Sequence, residues 1–240
     1  MESLILFQSP LPKIRLGKDN DGGYVICNMP DGYDMFVACG IAGDISFEKD
    51  FLNMYNVECY AFDGTVNGLP EDIKEINFIQ KNIGNTNTDK LTNLHSYIEN
   101  YENVFLKMDI EGHEYDVFDT FDSGLLKKFK QIVMEFHTPA EIRLYPEYFK
   151  DLSHINEVKM FEILNKIKVT HTLVHIHANN GCKLHKIDGI TVPNVFECTF
   201  IRNDYMDKWN RNTDPVPTKL DLPNCPQLPE ILLDFWPFKF

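Results

Sequence analysis

The run Phe105-Leu106-Lys107-Met108-Asp109-Ile110-Glu111-Gly112-His113-Glu114 sets three carboxylates and an imidazole directly behind a short apolar segment. A run of that length reads as a buried strand, and it stops on Asp109. Charge at the end of a buried strand is costly unless it is paired or used. Ligands of open α/β sheets sit beyond the carboxyl ends of the strands, so the cluster has the position of a site as well as its chemistry. A second such segment, Gln131 to Phe136, ends on His137, with Glu135 two residues back and on the same face. Imidazole titrates near neutrality, which suits His137 to remove a proton from a hydroxyl. His137, Glu135, Glu111 and His113 are therefore the candidate catalytic residues. Asp109 or Glu111 with Glu135 and His137 also offers ligands that magnesium or manganese accepts. Metal-free catalysis is the preferred reading of the two.

Two further groups describe a cofactor. Gly40-Ile41-Ala42-Gly43-Asp44 follows an earlier apolar segment, and such glycines let backbone approach a ligand at a helix N-terminus. Asp63 stands about 20 residues later, at the end of the next apolar segment, where a carboxylate can accept ribose hydroxyls. A dinucleotide would have to lay its pyrophosphate on a turn that runs into Asp44 and Glu48. S-adenosylmethionine, which carries a sulfonium and an ammonium and no phosphate, suits Asp44, Asp63 and Asp109 better. The expected cofactor residues are Gly40, Ile41, Ala42, Gly43, Asp44, Glu48, Asp63 and Asp109, with Asn82 and Ile83 from a polar turn further on.

The elements that must position these residues alternate in type. Strands are expected over 33–38, 57–62, 77–81, 104–110 and 131–136, and then over 172–176 and 195–201. Helical spacing is read at Phe47, Phe51 and Leu52, from Pro70, through Leu91, Leu94, Ile98 and Tyr101, from Tyr115 to Leu125, and from Val158 to Ile167. The alternation predicts an α/β fold with a doubly wound, mostly parallel sheet and an antiparallel C-terminal edge. One domain is expected over residues 1–240. It divides into an N-terminal cap (1–33), a Rossmann-like core (34–202) and a proline-rich C-terminal strap (203–240). His175 and His177 are read as core packing, with Asn179 and Asn180 shaping an acceptor pocket, in preference to metal ligands.

The chain has 240 residues and a formal net charge of −13, which argues against nucleic acid and for a neutral substrate. Its six scattered cysteines read as reduced thiols of a cytoplasmic protein, and no apolar run suggests a membrane partner. Met1 fits either a complete chain or a domain cut from a larger glycan-processing enzyme.

Asp21-Gly22-Gly23-Tyr24, the run from Gly40 to Glu48, and Leu106 to Glu114 together resemble the FkbM family of S-adenosylmethionine-dependent methyltransferases. Glu135-Phe136-His137 and His175 to Asn180 add to the resemblance. It implies a class I methyltransferase fold and methyl transfer to oxygen. The implied acceptors are hydroxyls of sugars, including deoxyhexoses such as rhamnose or fucose in glycans, or of secondary metabolites. One departure is Ala38-Cys39, where many such enzymes carry an acid, so the methionine amine falls to Asp44, Glu48 or Asp109. The competing readings are a non-catalytic module of the same fold that binds glycan or a partner, and a nicotinamide-dependent oxidoreductase. The missing GxGxxG speaks against the second.

Overall fold

The computed structural model describes residues 2–240; Met1, and with it the reading of where the chain or domain starts, lies outside the described residues. In chain order the elements are β1 (Lys13–Leu16), β2 (Tyr24–Cys27), β3 (Met35–Cys39), α1 (Ser46–Tyr55), β4 (Cys59–Phe62), β5 (Ile76–Ile79), β6 (Asn82–Ile83) and β7 (Leu91–Thr92). There follow α2 (His95–Ile98), β8 (Val104–Met108), α3 (Glu114–Thr120), α4 (Ser123–Leu126), β9 (Phe129–His137), α5 (Pro139–Leu144) and α6 (Glu157–Lys168). The last four are β10 (His171–Ala178), β11 (Leu184–Ile187), β12 (Ile190–Pro193) and β13 (Val195–Arg202).

Seven strands form the central sheet in the order β5-β4-β3-β8-β9-β13-β10. The pairs from β5 through to β9 are parallel, and β13 runs antiparallel to both β9 and β10. This is the mostly parallel α/β sheet expected, with its reversed strand one place in from the C-terminal edge. Side chains alternate across it: Met35, Val37 and Cys39 join one apolar cluster with residues of α3 and α6, while Phe36 and Ala38 join another with α1 and β2. Because both faces are covered, β3 reads as an unbroken apolar run and β8 as one broken only by Lys107, while β9 is buried throughout although it carries Lys130, Gln131, Glu135 and His137.

Two expected helices fail for identifiable reasons, and the N-terminal cap carries strands of its own. The N-terminal cap contains a two-stranded antiparallel hairpin, β1-β2, and β2 is fully buried. No helix follows Pro70 among the described residues. Only Leu69 and Ile73 reach the core there, and two anchors beside Gly64 and Gly68 do not repay nucleation. The helical spacing from Leu91 shrinks to the single turn α2, because Leu94 takes a left-handed φ of 68° and blocks continuation.

Beyond Tyr205 the described residues form neither helix nor sheet strand, and an isolated bridge ties Arg211 to Phe7. Buried polar groups hold this strap to the sheet edge. His175 Nε2 lies 2.8 Å from Asp221 Oδ1, and His177 is gripped by Glu197 at 3.3 Å and Glu230 at 3.2 Å. The Asn180 amide donates to the carbonyls of Cys225 and Leu228. His175 and His177 are buried, as expected, and with Asn180 they hold the tail.

The arrangement carries a pH dependence. Burial opposes charge on His177, but Glu197, Asp221 and Glu230 outweigh it and hold the ring's pKa up at about 9. A raised folded-state pKa gives stability that is complete below the free imidazole value and disappears as pH rises through about 9. The melting temperature should therefore fall by several degrees between pH 7 and pH 10, and His177→Gln should flatten that slope. An equal slope in the variant would contradict the assignment.

Candidate active site

A cavity of about 790 Å³ opens above the carboxyl ends of β3, β4 and β8. Gly40, Ile41, Ala42, Asp44, Glu48, Asp63, Asn82, Ile83 and Asp109 all line it, as do Glu111 and His113. Gly43 does not line it and instead borders a shallower hollow outside the loop. The N-terminal segment contributes Lys18, Asp21, Gly22 and Tyr24, and the loop after α5 contributes Tyr148, Phe149, Asp151 and Leu152. No residue of the strap reaches this wall.

The glycine turn is held from below. Gly40 has a φ of 75°, and a Cβ there would lie 1.7 Å from the Asp109 carbonyl oxygen, so only glycine fits. Asp63 Oδ2 accepts the amides of Ile41 at 3.2 Å and Ala42 at 2.8 Å, and Oδ1 accepts the amide and hydroxyl of Thr65. Burial alone would raise its pKa, but these four donors prevail and lower it. Asp63 is thus a brace for the loop as well as part of the cavity wall. Two of the loop amides, those of Ile41 and Ala42, are thereby taken.

The acids assigned to the cofactor differ in how free they are. Asp44 is paired with Lys18 at 3.0 Å and accepts the Ser46 amide. Glu48 is fully buried and faces Lys107 Nζ at 3.1 Å, and neither of its oxygens has a hydrogen-bond partner. Burial opposes the Lys107 charge, yet Glu48 and Asp109 raise its pKa, so this is a true ion pair beneath the loop. Lys107 also donates to the Gly40 carbonyl at 3.2 Å. Glu48 is therefore compensated and is a poor seat for the methionine amine. A lysine inside the apolar run Leu106-Lys107-Met108 is the signal that could have revealed the pair. Tyr24, also missed, donates its hydroxyl to Asp109 Oδ2 at 2.7 Å.

Parallel pairing of β8 with β9 brings the two strand ends together. His137 Nε2 lies 3.4 Å from Glu135 Oε2 and 3.6 Å from Glu111 Oε2. Burial raises the Glu135 pKa, and against its own burial the His137 ring is raised by Glu135, Glu114 and Glu111. His137 and Glu135 stand behind the cavity wall, whereas the Glu111 side chain is 55% exposed and faces the opening. Glu111 takes a left-handed φ of 58°, a strained conformation for a non-glycine residue. His113, also on the cavity wall, faces Asp116 at 3.8 Å. Glu114, unassigned from sequence, is fully buried, accepts the Ile110 amide and has its pKa raised by burial to about 7.

Taken together, eight carboxylates and three lysines line the cavity, an excess of negative charge that favours a cationic ligand. Among the described residues no helix is long and apolar enough to cross a membrane. No curated protein matches the chain. A solved structure from Clostridium thermocellum, named provisionally as an rRNA methylase, is 9% identical and covers 70% of this chain and 86% of its own, with a TM-score of 0.36. That likeness is too distant to bear on function. The model of the methyltransferase FkbM domain, by contrast, matches residues 27–160, more than half of the chain and all of the cavity's glycine turn and strand ends. The protein belongs to the FkbM methyltransferase family.

Proposed function

We propose that this chain is an S-adenosylmethionine-dependent O-methyltransferase whose acceptor is a hydroxyl of a sugar or glycan. The carrying observation is the acid-lined cavity in which Asp63 already occupies the loop amides of Ile41 and Ala42. Such a wall suits a phosphate-free cation and repels a pyrophosphate. The cavity volume is also in the range that encloses a cofactor of this size. Gly40, Ile41, Ala42 and Asp44, with Asp63, Asn82 and Ile83, would hold it. When bound, it supplies an electrophilic methyl group on sulfur.

The chain's own task is to orient the acceptor and take its proton. Glu111, open to the cavity and backed by His137, is placed to receive that proton. His137 then acts one position further in than an imidazole that meets the substrate directly. Tyr148 is 66% exposed on the same wall and offers a flat apolar face of the kind that stacks on a sugar ring. Asp116 and Asp151 beside it can accept sugar hydroxyls. A cytoplasmic setting, alone or within a larger glycan-processing enzyme, fits the six unpaired cysteines.

Calorimetric titration with S-adenosylhomocysteine tests the cofactor. Wild type should bind with micromolar affinity, and Asp63→Ala should weaken binding by about 100-fold, since two buried amides lose their partner. No binding by wild type would favour a non-catalytic module of the same fold. His137→Ala should leave that affinity within about twofold while reducing methyl transfer to a panel of sugars by at least about 100-fold. Labelled methyl transfer only to non-sugar alcohols would overturn the acceptor class.

A further inference from the structure

Behind the cavity wall, next to Asp109, several ligating groups converge. Asp109, Glu135 and His137 each offer a ligand atom, and these atoms lie within 4.8 Å of one another. The strand pairing that places them also fixes their outer contacts. Tyr24 donates to Asp109 Oδ2 and Asn179 donates to Glu135 Oε1, which leaves the opposite oxygen of each carboxylate free. His137 is 5% exposed, and neither of its ring nitrogens has a hydrogen-bond partner. Its Nε2 nonetheless faces the carboxylates of Glu135 and Glu111 at 3.4 and 3.6 Å. A buried, unpartnered nitrogen aimed into a ring of carboxylates lacks something that accepts lone pairs from all of them.

We propose that Asp109, Glu135 and His137 bind one divalent cation at the inner side of the cavity wall, where Asp109 reaches the cavity. Two carboxylates and one imidazole, with positions left for water or a hydroxyl, suit an ion of the manganese class, which takes oxygen ligands and tolerates nitrogen. Ligands of such an ion sit about 3–4 Å apart, so the observed spacing needs only a small closure. Tyr24 and Asn179 become the outer partners that orient the two carboxylates. The inference rests on the methyltransferase reading for the ion's role and not for its binding. In that role an alcohol coordinated to the ion becomes more acidic, and its proton passes to the Glu111 carboxylate, which stays outside the ligand set.

The test is titration of chelator-treated protein with manganese(II) chloride, following the paramagnetic resonance signal of the free ion. Calorimetry with S-adenosylhomocysteine runs in parallel on the same samples. Wild type should take up about one ion per chain. Glu135→Gln and His137→Gln should each weaken uptake by at least about tenfold while retaining S-adenosylhomocysteine binding, which shows that they are folded. Absence of uptake by wild type that binds S-adenosylhomocysteine overturns the ion site alone. Wild-type uptake by both variants overturns it as well, because the ion then sits elsewhere. Uptake of the expected strength without S-adenosylhomocysteine binding supports the ion site and instead removes the methyltransferase reading.

Discussion

Gly40→Ala is expected to lose S-adenosylhomocysteine binding and at least about 3 kcal/mol of stability. Two independent penalties meet at this position. Its φ of 75° disfavours any side chain, and the added Cβ would sit 1.7 Å from the Asp109 carbonyl oxygen. That neighbour is backbone at the end of β8, tied by its own amide to the Cys39 carbonyl at 3.0 Å, so it cannot swing away as a flexible side chain would. Relief requires the turn and the strand end to separate, which spoils the cofactor loop and the proton-accepting cluster together. Gly43→Ala supplies the control, because a Cβ there meets nothing within 4 Å. Urea unfolding should place Gly43→Ala within about 0.5 kcal/mol of wild type. Equal stability for the two variants would show that the contact with Asp109 is not what demands glycine.

Lys107→Met should be nearly as damaging, by a different route. It removes the counterion of Glu48, whose carboxylate is fully buried with no hydrogen-bond donor of its own. Stranding one member of a buried pair typically costs about 3–5 kcal/mol. The same change withdraws the donor to the Gly40 carbonyl, so cofactor affinity should fall with stability. Combining Lys107→Met with Glu48→Leu removes both charges and should recover most of the lost stability. If the double variant is no more stable than the single one, the two charges are not coupled and the pair is incidental.

The sheet was legible because its inner strands are covered on both faces. Runs such as Met35-Phe36-Val37-Ala38-Cys39 and Val104 to Met108 have little other physical reading. The strand ends were legible for the same reason, since Asp63, Asp109 and His137 break apolar runs abruptly. What escaped was pairing between charges far apart in the chain. Glu48 looked free for a ligand because its partner is 59 positions away on another element. His175 and His177 were legible as buried residues, but not their partners, because Asp221 and Glu230 belong to a tail with no periodic pattern. The segments from Pro70 and Leu91 misled in the opposite sense. Local spacing there promised helices that a single left-handed residue or too few buried anchors prevents.

The position of β13 bears on how the molecule is made. It lies between β9 and β10, and β10 touches the sheet through β13 alone. The segment that joins the two halves is therefore synthesised after both. Until Val195 to Arg202 has left the ribosome, β9 presents a long unpaired edge and β10 has no strand to dock on. Folding of the C-terminal half is consequently a late, non-local event, and any shortened version ending before Val195 should be prone to self-association through those bare edges.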